Sequence, residues 1–567
     1  MGRIKLLRIE NYRSIGEKIL INFPEKVPLV LVGENNAGKS NIVRALDLLL
    51  GEMWPGSHEP EDHEYHGRDK DNSPIEIMAE VEEVTHSDWH GVRDVARFIW
   101  RYPSGDEHGP FRIGFSGGEE KAFVSNDTRE QCTCIVVGAD RRLSYQLSYS
   151  SKYTLLSKLM RNFHQALTAD PTRVQELKRQ FDDVKTLFQS VAPFAAFTEE
   201  LGHQVDELSG NLEYGLGIDF SAYDPSNYFH ALRVHPYEGS DVRTFEELGT
   251  GQEQILALAF AHAYARAFRD SGGLLLVIEE PEAHLHPLAQ EWVARKIQEL
   301  ASEGVQVVVT THSPAFLDVL SLEGLVLVRK EAGDTRIVQL IREKLAQHCR
   351  EKGAVGATAE TILPFYGAAA TQEILSGFFA RKVVLVEGPT ESMALPALMR
   401  RLPHGTIDTV KDGVAVIPVH GKGNLPRWWR LFTAYGIPTY VIFDNDREDD
   451  PKGVKRSDML TSLGIPRDSF DYLLGTEDWV VESEFCIFGE NYESTMRRYF
   501  GDAYTQLEEE ARDQLGLGTK LAKPLIARYV AEHLKATRDA SGSQKLVDLI
   551  ESIRTLGSKP DWEDIPF

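Results

Sequence analysis

The chain has 567 residues, which is too long for a single hydrophobic core and predicts two or three domains. Hydrophobic residues make up 42% and charged residues 26%, as in soluble globular proteins, and no apolar run approaches the ~18 to 20 residues of a membrane span, so a cytoplasmic protein without a membrane partner is expected. The 62 basic and 86 acidic residues give a net charge of −24, which argues against a broad basic surface, so any DNA contact is expected in a local groove where metal ions offset the carboxylates.

The N-terminal part is predicted to form a strand hairpin, a buried strand at 28–32 and a helix over 41–50. Between that strand and that helix, Gly33-Glu-Asn-Asn-Ala-Gly-Lys-Ser40 fits the pattern G-x-x-x-x-G-K-[ST] in full. The two glycines allow a tight turn that aims backbone N–H groups at phosphate oxygens, the lysine reaches the outer phosphates and the serine can hold Mg²⁺. The predicted triphosphate contacts are Gly33, Asn35, Asn36, Gly38, Lys39 and Ser40.

The following segments change character twice. Strands at 75–81, 111–115 and 134–137 are predicted to extend an antiparallel layer. From 152 to 208 the apolar residues recur at helical spacing, which predicts an insertion of two or three helices. Strand-like sequence at 214–220 is followed by segments that predict a parallel α/β layer, namely a helix over 252–269, a buried strand at 274–278, a helix over 287–300 and a strand at 305–310.

A second unit is predicted after a variable stretch from about 331 to 377. Strands and helices alternate in it, which is typical of a small doubly wound domain. The predicted strands are 382–387, 413–418 and 439–443, the predicted helices between them are 390–402 and 425–435, and helical segments at 504–515, 521–534 and 546–556 close the chain.

Two carboxylates, Glu279 and Glu280, end the buried strand of the first unit. One can orient the shell of a Mg²⁺ ion while the next activates the attacking water, which is what nucleotide hydrolysis requires. Their place between Leu248-Gly-Thr-Gly-Gln252 and Thr310-Thr-His-Ser-Pro314 strengthens this interpretation.

The order of these segments resembles the ATPase head of the ABC class, in its SMC and RecF-like branch. The resemblance implies a signature loop with Gly249, Gly251 and Gln252, a D-loop at 282–286, and His312 as the switch histidine that senses the terminal phosphate. In that class the signature of one head completes the phosphate site of another, so dimerisation is implied. Glu279 stands where most of the class has Asp, and the Q-loop position is left open between Glu80 and Gln131.

The second unit carries another set of acids. Glu387 ends a strand and Glu391 lies four residues on, in the first turn of a helix, while Asp444 and Asp446 follow the strand at 439–443. Spacing of i, i+2 in extended chain points both aspartates the same way. Oxygen-only clusters suit Mg²⁺ or Mn²⁺, and two such ions can stabilise the attacking and leaving oxygens of a phosphodiester displacement. Either pair alone is more typical of solvated acids.

Both pairs, with Gly421-Lys-Gly423 between them, resemble the Toprim domain of topoisomerases, primases and certain nucleases. Glu448 occupies the third position of the Asp-x-Asp-x-Asp run, and its role in metal binding is left open. An ABC head with a helical insertion followed by a Toprim domain resembles the OLD (overcoming lysogenisation defect) nucleases, including the nuclease subunit of Gabija-type phage defence. The resemblance implies further acids, matched by Glu482 and Glu484, and a late lysine, matched by Lys523 with Lys520 as a rival.

The expected fold class is therefore α/β, an ABC (SMC/RecF-like) ATPase head with a helical insertion followed by a C-terminal Toprim domain. The expected domains are the two parts of the head at 1–150 and 213–345, the insertion at 151–212 with a role in dimerisation, a linker at 346–377 and the Toprim domain with its helical extension at 378–567.

The expected function is an ATP-regulated, metal-dependent DNA endonuclease or nickase. Its cofactors would be ATP and Mg²⁺, with Mn²⁺ or Ca²⁺ as alternatives at the Toprim site, and it would form a homodimer or larger homo-oligomer, with a helicase-like partner left open. The expected catalytic residues are Glu280, Glu387, Asp444, Asp446 and Lys523, and the expected metal ligands are Ser40, Glu387, Glu391, Asp444, Asp446, Glu482 and Glu484.

Two alternatives stay open. A Toprim topoisomerase or primase uses the same acids, but the former needs a tyrosine nucleophile such as Tyr472 on a DNA-binding module, and the latter needs zinc-binding parts that four cysteines do not supply. An ATP-driven DNA-binding protein like an SMC head would leave the acids without function, although the sequence contains no long heptad-bearing arms.

Two other clusters allow two interpretations each. His58, His63 and His66 lie among acids, as a metal site or as solvated surface. The segment with Lys422, Arg427, Trp428, Trp429 and Arg430 would touch DNA or supply the packed face of its helix.

Overall fold

The computed structural model describes most of the chain: residues 2–71, 74–89, 91–104, 109–138, 168–192, 195–197, 199–201, 236–244, 247–267, 273–401, 407–448, 450–517, 522–534 and 541–557, with single positions or pairs between 154 and 163 and at 203 and 234. The predicted strand at 214–220 and Lys520 lie outside the described residues. None of the described helices combines the length and the apolar character needed to cross a membrane.

The strands fall into three main sheets. In chain order they are β1 (Arg3–Glu10), β2 (Ile19–Asn22), β3 (Leu29–Val32), β4 (Ile75–Asp88), β5 (Gly91–Tyr102), β6 (Phe111–Phe115), β7 (Glu120–Lys121), β8 (Cys132–Val137), β9 (Tyr237–Glu238), β10 (Asp241–Val242), β11 (Gly273–Glu279), β12 (Gln306–Thr311), β13 (Leu325–Glu331), β14 (Asp334–Gln339), β15 (Lys382–Val386), β16 (Val414–Pro418), β17 (Thr439–Asp444), β18 (Val480–Val481) and β19 (Phe485–Phe488).

The helices pack against these sheets and make up much of the C-terminal part. In chain order they are α1 (Lys39–Leu50), α2 (Asn126–Glu130), α3 (Pro171–Gln189), α4 (Thr250–Ala267), α5 (Pro287–Ser302), α6 (Arg342–Glu351), α7 (Leu363–Ala369), α8 (Gln372–Leu375), α9 (Pro389–Arg401), α10 (Leu425–Ala434), α11 (Val454–Ser462), α12 (Phe470–Gly475), α13 (Tyr492–Phe500), α14 (Asp502–Gln514), α15 (Lys523–His533) and α16 (Ser541–Thr555).

The first sheet is antiparallel, with the order β2-β1-β4-β5-β6-β7. Its alternating strands place Leu7 and Ile9 against the buried side of α1, where Leu46 and Leu49 share the same core. The predicted strand at 75–81 is therefore confirmed, although β4 continues to Asp88 and pairs with β5 as a long hairpin.

The second sheet carries the α/β layer, in the order β14-β13-β3-β12-β11-β8. Strands β13, β3, β12, β11 and β8 run parallel, and β14 is antiparallel to β13. The prediction that the strand near 134–137 belongs to the antiparallel layer is wrong, because β8 pairs in parallel with β11. Cys132, Cys134, Ile135 and Val136 are all buried, as expected for a parallel strand covered on both faces.

The third sheet has the order β16-β15-β17-β19-β18 and is parallel except for β18. Strands β15 and β17 are neighbours, so their carboxyl ends meet at one edge of the sheet. The alternation of strands and helices predicted for this unit is confirmed.

A shared core joins the second and third sheets. It contains Val32 of β3 and Leu327 of β13 together with Leu385 of β15 and Trp428 of α10. The stretch predicted as variable, 331–377, is well structured, since it supplies β14, α6, α7 and α8. The domain boundaries stay a prediction, but the two α/β layers are in direct contact.

Candidate functional site

The phosphate loop runs from the end of β3 to the start of α1. Its glycines have backbone angles that side chains rarely adopt, with φ of 148° at Gly33 and 111° at Gly38. A β-carbon at Gly33 would lie 2.0 Å from the carbonyl oxygen of Val328, and one at Gly38 would lie 2.1 Å from Oγ1 of Thr335. Both positions therefore require glycine, for close packing against β13 and β14 as well as for the turn.

A network of hydrogen bonds through side-chain hydroxyl groups supports this loop. Thr335 donates its hydroxyl to the carbonyl of Ala37 at 2.9 Å, and the same hydroxyl lies 2.7 Å from Oγ of Ser14. Asn41 donates its side-chain amide to Ser14 at 2.6 Å. Two segments that are distant in sequence, at Ser14 and Thr335, thus hold the loop in place.

Lys39 is the buried cation of the loop. Its ammonium group donates to the carbonyls of Gly33 and Glu34 at 2.8 and 2.9 Å. Burial lowers the pKa of Lys39 to about 8, although the nearby carboxylates of Glu280 and Glu282 oppose this shift.

The predicted switch histidine, His312, lies beside the acids that follow β11. Nε2 of His312 is 3.8 Å from Oε1 of Glu280. Burial and the charge of Lys39 lower the pKa of His312, while Glu280 opposes that change. Glu282 accepts hydrogen bonds from the hydroxyl of Thr311 at 2.8 Å and the amide of His312 at 2.5 Å. The structure therefore brings Lys39, Glu280 and His312 together and adds Glu282, which the sequence analysis treated only as part of a loop.

The other predicted ATP contacts in this region lie along the loop and at the end of β11. Asn35, Asn36 and Ser40 are exposed along the loop. The carboxylate of Glu279 lies next to Gly138 at the end of β8, 3.1 Å from where a β-carbon of that glycine would lie. The acids whose charge acts on Lys39 are Glu280, Glu282 and Glu34.

The predicted signature loop begins α4. The amide of Gly249 donates to Oε1 of Gln252 at 3.1 Å, and both residues are exposed. A β-carbon at Gly251 would lie 2.9 Å from the carbonyl oxygen of His284, so the signature loop packs against the predicted D-loop of its own chain. Its contact with a second subunit stays a prediction. The Q-loop position stays open between Glu80 and Gln131. The side-chain amide of Gln131 forms hydrogen bonds with the backbone N–H and carbonyl of Thr85.

The acids of the third sheet meet where β15 and β17 end. Glu387 directly follows β15, Glu391 lies in the first turn of α9, and Asp444 is the last residue of β17. Burial raises the pKa of Glu391 to about 7, with the charges of Glu387 and Glu493 adding to the shift. Burial also raises the pKa of Asp444 well above its usual range, as do Glu391 and Glu387. The structure therefore brings these three predicted acids together.

Two residues complete this cluster. Glu493, in the first turn of α13, acts electrostatically on Glu391 and Asp444, and its Oε1 lies 3.8 Å from Nζ of Lys523. Lys422 is buried, with Nζ 3.6 Å from Oε2 of Glu387. No motif marked Glu493, because its helix reaches the sheet edge only in the folded chain. We call Glu387, Glu391, Asp444 and Glu493 the acid cluster.

The structure places the predicted metal ligands Glu482 and Glu484 away from the acid cluster. Val441, near the start of β17, donates its amide to the carbonyl of Glu484 at 3.2 Å, and Tyr440 donates its hydroxyl to the carbonyl of Glu482 at 2.9 Å. Asp444 pairs with Phe488 at the other end of these strands. Both glutamates are exposed and lie at the opposite edge of the sheet from the acid cluster.

Asp446 lies beside the acid cluster and faces a groove. Its Oδ1 accepts a hydrogen bond from the amide of Glu448 at 2.7 Å. The groove encloses about 420 Å³, and its lining includes Asp446, Glu448, Arg447 and Arg498. The groove thus adjoins the acid cluster at Asp446.

The residues fit a hard divalent cation. Oδ1 of Asp444 is buried and has no hydrogen-bond partner among the described residues, and carboxylate oxygens are the ligands that Mg²⁺ and Mn²⁺ prefer. Across the described part of the chain, no three His, Cys, Asp or Glu side chains are already arranged as a metal centre. Small side-chain movements of the acid cluster would therefore accompany ion binding.

The remaining predicted clusters have structural roles. His58 pairs with Glu64 at 2.9 Å, His63 with Glu61 at 3.1 Å and His66 with Asp334 at 3.0 Å, so the three histidines do not form one site. Trp428 and Trp429 of α10 are buried in the protein core, and Arg430 of the same helix is buried beside Asp458. The packing interpretation is confirmed for the two tryptophans.

In buffer with EDTA, Glu391→Gln is expected to stabilise the fold, and by more at pH 8 than at pH 5. The pKa of Glu391 rises from 4.5 to about 7 on folding. Between these values the unfolded chain loses the proton first, so ionisation of Glu391 destabilises the fold as pH increases. Glutamine removes this effect.

The gain in unfolding free energy should grow from pH 4.5 to 7 and then level off, at about 1–3 kcal/mol. Chemical denaturation across this range measures it, with the exposed Glu484→Gln as control. A pH-independent difference between Glu391→Gln and wild type would contradict the prediction.

The chain matches two family models. Residues 29–318 match the model described as "AAA domain, putative AbiEii toxin, Type IV TA system". Residues 378–446 match the model described as "Overcoming lysogenization defect protein-like, TOPRIM domain". The second range contains Glu387, Glu391, Asp444 and Asp446, which carried the resemblance to a Toprim domain.

Several curated proteins are similar to the chain. The "OLD nuclease" of Thermus scotoductus (strain ATCC 700910 / SA-01) is 26% identical over 473 residues, covering 78% of this chain and 82% of that protein. The "Old nuclease" of Escherichia phage P2 is 25% identical over 226 residues, covering 39% and 37%. The "Septu protein PtuA" of Bacillus mycoides (strain KBAB4) is 22% identical over 409 residues, covering 68% and 48%.

Among solved structures, the Smc head domain of Pyrococcus furiosus, bound to the C-terminal domain of ScpA, is 16% identical and has a TM-score of 0.34, with 60% of this chain and 96% of that chain covered. Stu0660 of Streptococcus thermophilus is 12% identical and has a TM-score of 0.40, with 64% and 85% covered.

The family models and the sheet topology together confirm the expected α/β fold class, in which an ATPase domain precedes a Toprim domain. The first model spans more than half of the chain, and the second covers the edge of the third sheet where the acid cluster forms. The chain therefore belongs to the family of the AAA domain model that it matches over more than half of its length, and it carries an OLD-like Toprim domain after that ATPase domain.

Proposed function

We propose that the chain is an ATP-regulated, metal-dependent DNA endonuclease or nickase whose cleavage site is the acid cluster together with Asp446. The observation that carries this proposal is the convergence of Glu387, Glu391 and Asp444 at the joined ends of β15 and β17, beside an open groove. The relatives named OLD nuclease support it.

The proposed metal ligands are Glu387, Glu391, Asp444, Asp446 and Glu493. Two bound Mg²⁺ or Mn²⁺ ions, or Ca²⁺ as a non-native substitute, would supply charge stabilisation and an acidified water for attack on the phosphodiester. The chain's own residues then position the DNA. Lys523 is 61% exposed at the rim of the cluster and is free to turn toward the scissile phosphate, where its charge would offset the charge of the transition state.

The proposed nucleotide site uses the phosphate loop. Lys39 would exchange its bonds to the loop carbonyls for bonds to the outer phosphates, and Ser40 and Glu279 would help to hold Mg²⁺. Glu280 would activate the attacking water while His312, oriented by Glu282, senses the terminal phosphate. Gly249 and Gln252, which are exposed, and the partly buried Gly251 would complete the site of a second subunit, so the active form would be at least a homodimer.

A direct contact supports control of cleavage by ATP. Arg381, the residue before β15, donates from Nε to both carboxylate oxygens of Glu34 in the phosphate loop, at 2.9 and 3.1 Å. Arg329 of β13 donates to the backbone carbonyls of Arg381 at 2.7 Å and Gly436 at 2.9 Å. Strand β15, whose end carries Glu387, is thus linked to the loop that would hold the triphosphate.

Arg381→Ala is expected to weaken the response of DNA cleavage to ATP while ATP hydrolysis is retained. The pair it breaks is partly exposed and contributes little to stability, about 0–1 kcal/mol, so the fold should persist. The ratio of cleavage rates with and without ATP measures the effect, and Arg336→Ala, which removes a partly exposed arginine on β14, is the control. An unchanged ratio in Arg381→Ala would show that this contact carries no regulation.

The proposed activity is tested by incubating supercoiled plasmid with purified protein, with Mg²⁺, Mn²⁺ or EDTA and with or without ATP. We expect nicked or linear DNA with the metals and none in EDTA. Intact plasmid under every metal and nucleotide condition would refute the proposal. A covalent protein–DNA adduct trapped by denaturation would instead favour a topoisomerase with a nucleophile such as Tyr472, which is exposed on α12.

A role in phage defence or DNA processing, a larger homo-oligomer and a helicase-like partner stay predictions. Size measurement of the purified chain with and without ATP tests the second of these.

A further inference from the structure

A buried lysine lies inside the acid cluster. The side chain of Lys422 is 2% exposed, so it does not reach a bound DNA strand. The turn that presents it has unusual backbone angles, with φ of 56° at His420 and 126° at Gly421. The amide of Gly421 donates to the carbonyl of Glu387 at 3.0 Å, which ties this turn to the end of β15.

The ammonium group of Lys422 bridges the two acidic motifs. Its Nζ lies 3.6 Å from Oε2 of Glu387 and 3.4 Å from the backbone carbonyl of Asp446. The first partner follows β15 and the second follows β17. One side chain therefore connects both strand ends that supply the proposed metal ligands.

The positive charge of Lys422 acts on the carboxylates that surround it. Burying an ammonium group is costly unless a carboxylate compensates it, and carboxylates held close together repel one another. Lys422 also acts favourably on Asp444, against the effect of Glu391 and Glu387 on that residue. A permanent positive charge beneath the acids thus offsets part of their repulsion.

We propose that Lys422 is a positioning residue whose fixed charge holds the two acidic motifs together without metal and lowers the affinity of the cluster for divalent ions. The inference rests on the proposed function, because it assumes that the cluster binds metal. Loss of the charge would make the cluster more negative, and a more negative cluster attracts a divalent cation more strongly.

Calorimetric titration of the full chain with Mn²⁺, without DNA or nucleotide, tests this role. Lys422→Met, which keeps the length but removes the charge, is expected to bind Mn²⁺ at least about tenfold more tightly than wild type. Its melting temperature should be lower than that of wild type in EDTA and should rise more on addition of Mn²⁺. Lys422→Arg keeps the charge and should bind Mn²⁺ within about threefold of wild type.

A folded Lys422→Met protein that binds Mn²⁺ as wild type does, or more weakly, would overturn the inference. The same holds if Lys422→Arg changes the affinity as much as Lys422→Met. If Lys422→Met does not fold, Lys422→Gln takes its place, since it keeps a donor for the Asp446 carbonyl and must also show tighter binding.

Asp444→Asn separates this inference from the proposed function. If wild type and Asp444→Asn take up Mn²⁺ equally or not at all, the proposed metal site fails. If Asp444→Asn loses the binding seen in wild type but Lys422→Met is unchanged, only the role of Lys422 fails.

Discussion

Asp444→Asn is expected to reduce metal-dependent DNA cleavage by about 10³-fold or more while ATP hydrolysis continues at the wild-type rate. Asp444 ends β17 in the middle of the acid cluster, and its buried Oδ1 has no hydrogen-bond partner in the described structure. Asparagine has nearly the same shape but carries no charge, so it weakens ion binding without creating a cavity. Relief of repulsion among the carboxylates should leave the variant at least as stable as wild type.

The rate of plasmid nicking and the rate of phosphate release from ATP, measured on the same preparation, check this prediction. Glu482→Gln is a matched control, since it removes one exposed carboxylate at the opposite edge of the same sheet and should cleave normally. Normal cleavage by Asp444→Asn would exclude the acid cluster as the nuclease site. Loss of cleavage in Glu482→Gln with its fold intact would restore that residue as a candidate ligand.

Lys39→Ala is expected to abolish ATP hydrolysis, with a loss of about 10²-fold or more, and to remove the effect of ATP on cleavage. Lys39 is the buried cation of the phosphate loop, and although burial lowers its pKa to about 8 it is still mostly protonated at pH 7. Alanine leaves no positive charge to compensate the outer phosphates. The acid cluster belongs to another sheet, so basal cleavage without nucleotide should persist.

Phosphate release, binding of a fluorescent ATP analogue and plasmid nicking with and without ATP check these expectations. Lys296→Ala is the control, because Lys296 is partly exposed on α5 and pairs with a carboxylate on the same helix at 2.6 Å. If cleavage by Lys39→Ala still responds to ATP, the phosphate loop is not the regulatory site. If basal cleavage is lost as well, the phosphate loop is needed for the nuclease site itself.

The structure also places some residues away from the positions expected from the sequence. Glu482 and Glu484 follow the second acidic motif in the order that the resemblance implied, but β19 runs parallel to β17, so residues before β19 lie at the starting edge of the sheet. The run from Cys134 to Val137 looked like one more antiparallel strand, since an isolated apolar run does not reveal its partner. Strand partners depend on the path of the whole chain.

The sequence by itself was sufficient where function resides in a short local pattern. The turn from Gly33 to Ser40 and the acids at the ends of two predicted strands were recognisable because strand, turn and helix are encoded within some 20 neighbouring residues. The family models match the ranges that contain both patterns.

Only the tertiary structure decided which distant groups join those patterns. Thr335 supports the phosphate loop, Arg381 reaches Glu34, and Lys422 and Glu493 meet the acid cluster, although each is remote in sequence from at least one partner. The physical reason is that burial and charge pairing act through space. A lysine in the turn after β16 is an ordinary surface residue until the ends of β15 and β17 enclose it beside carboxylates.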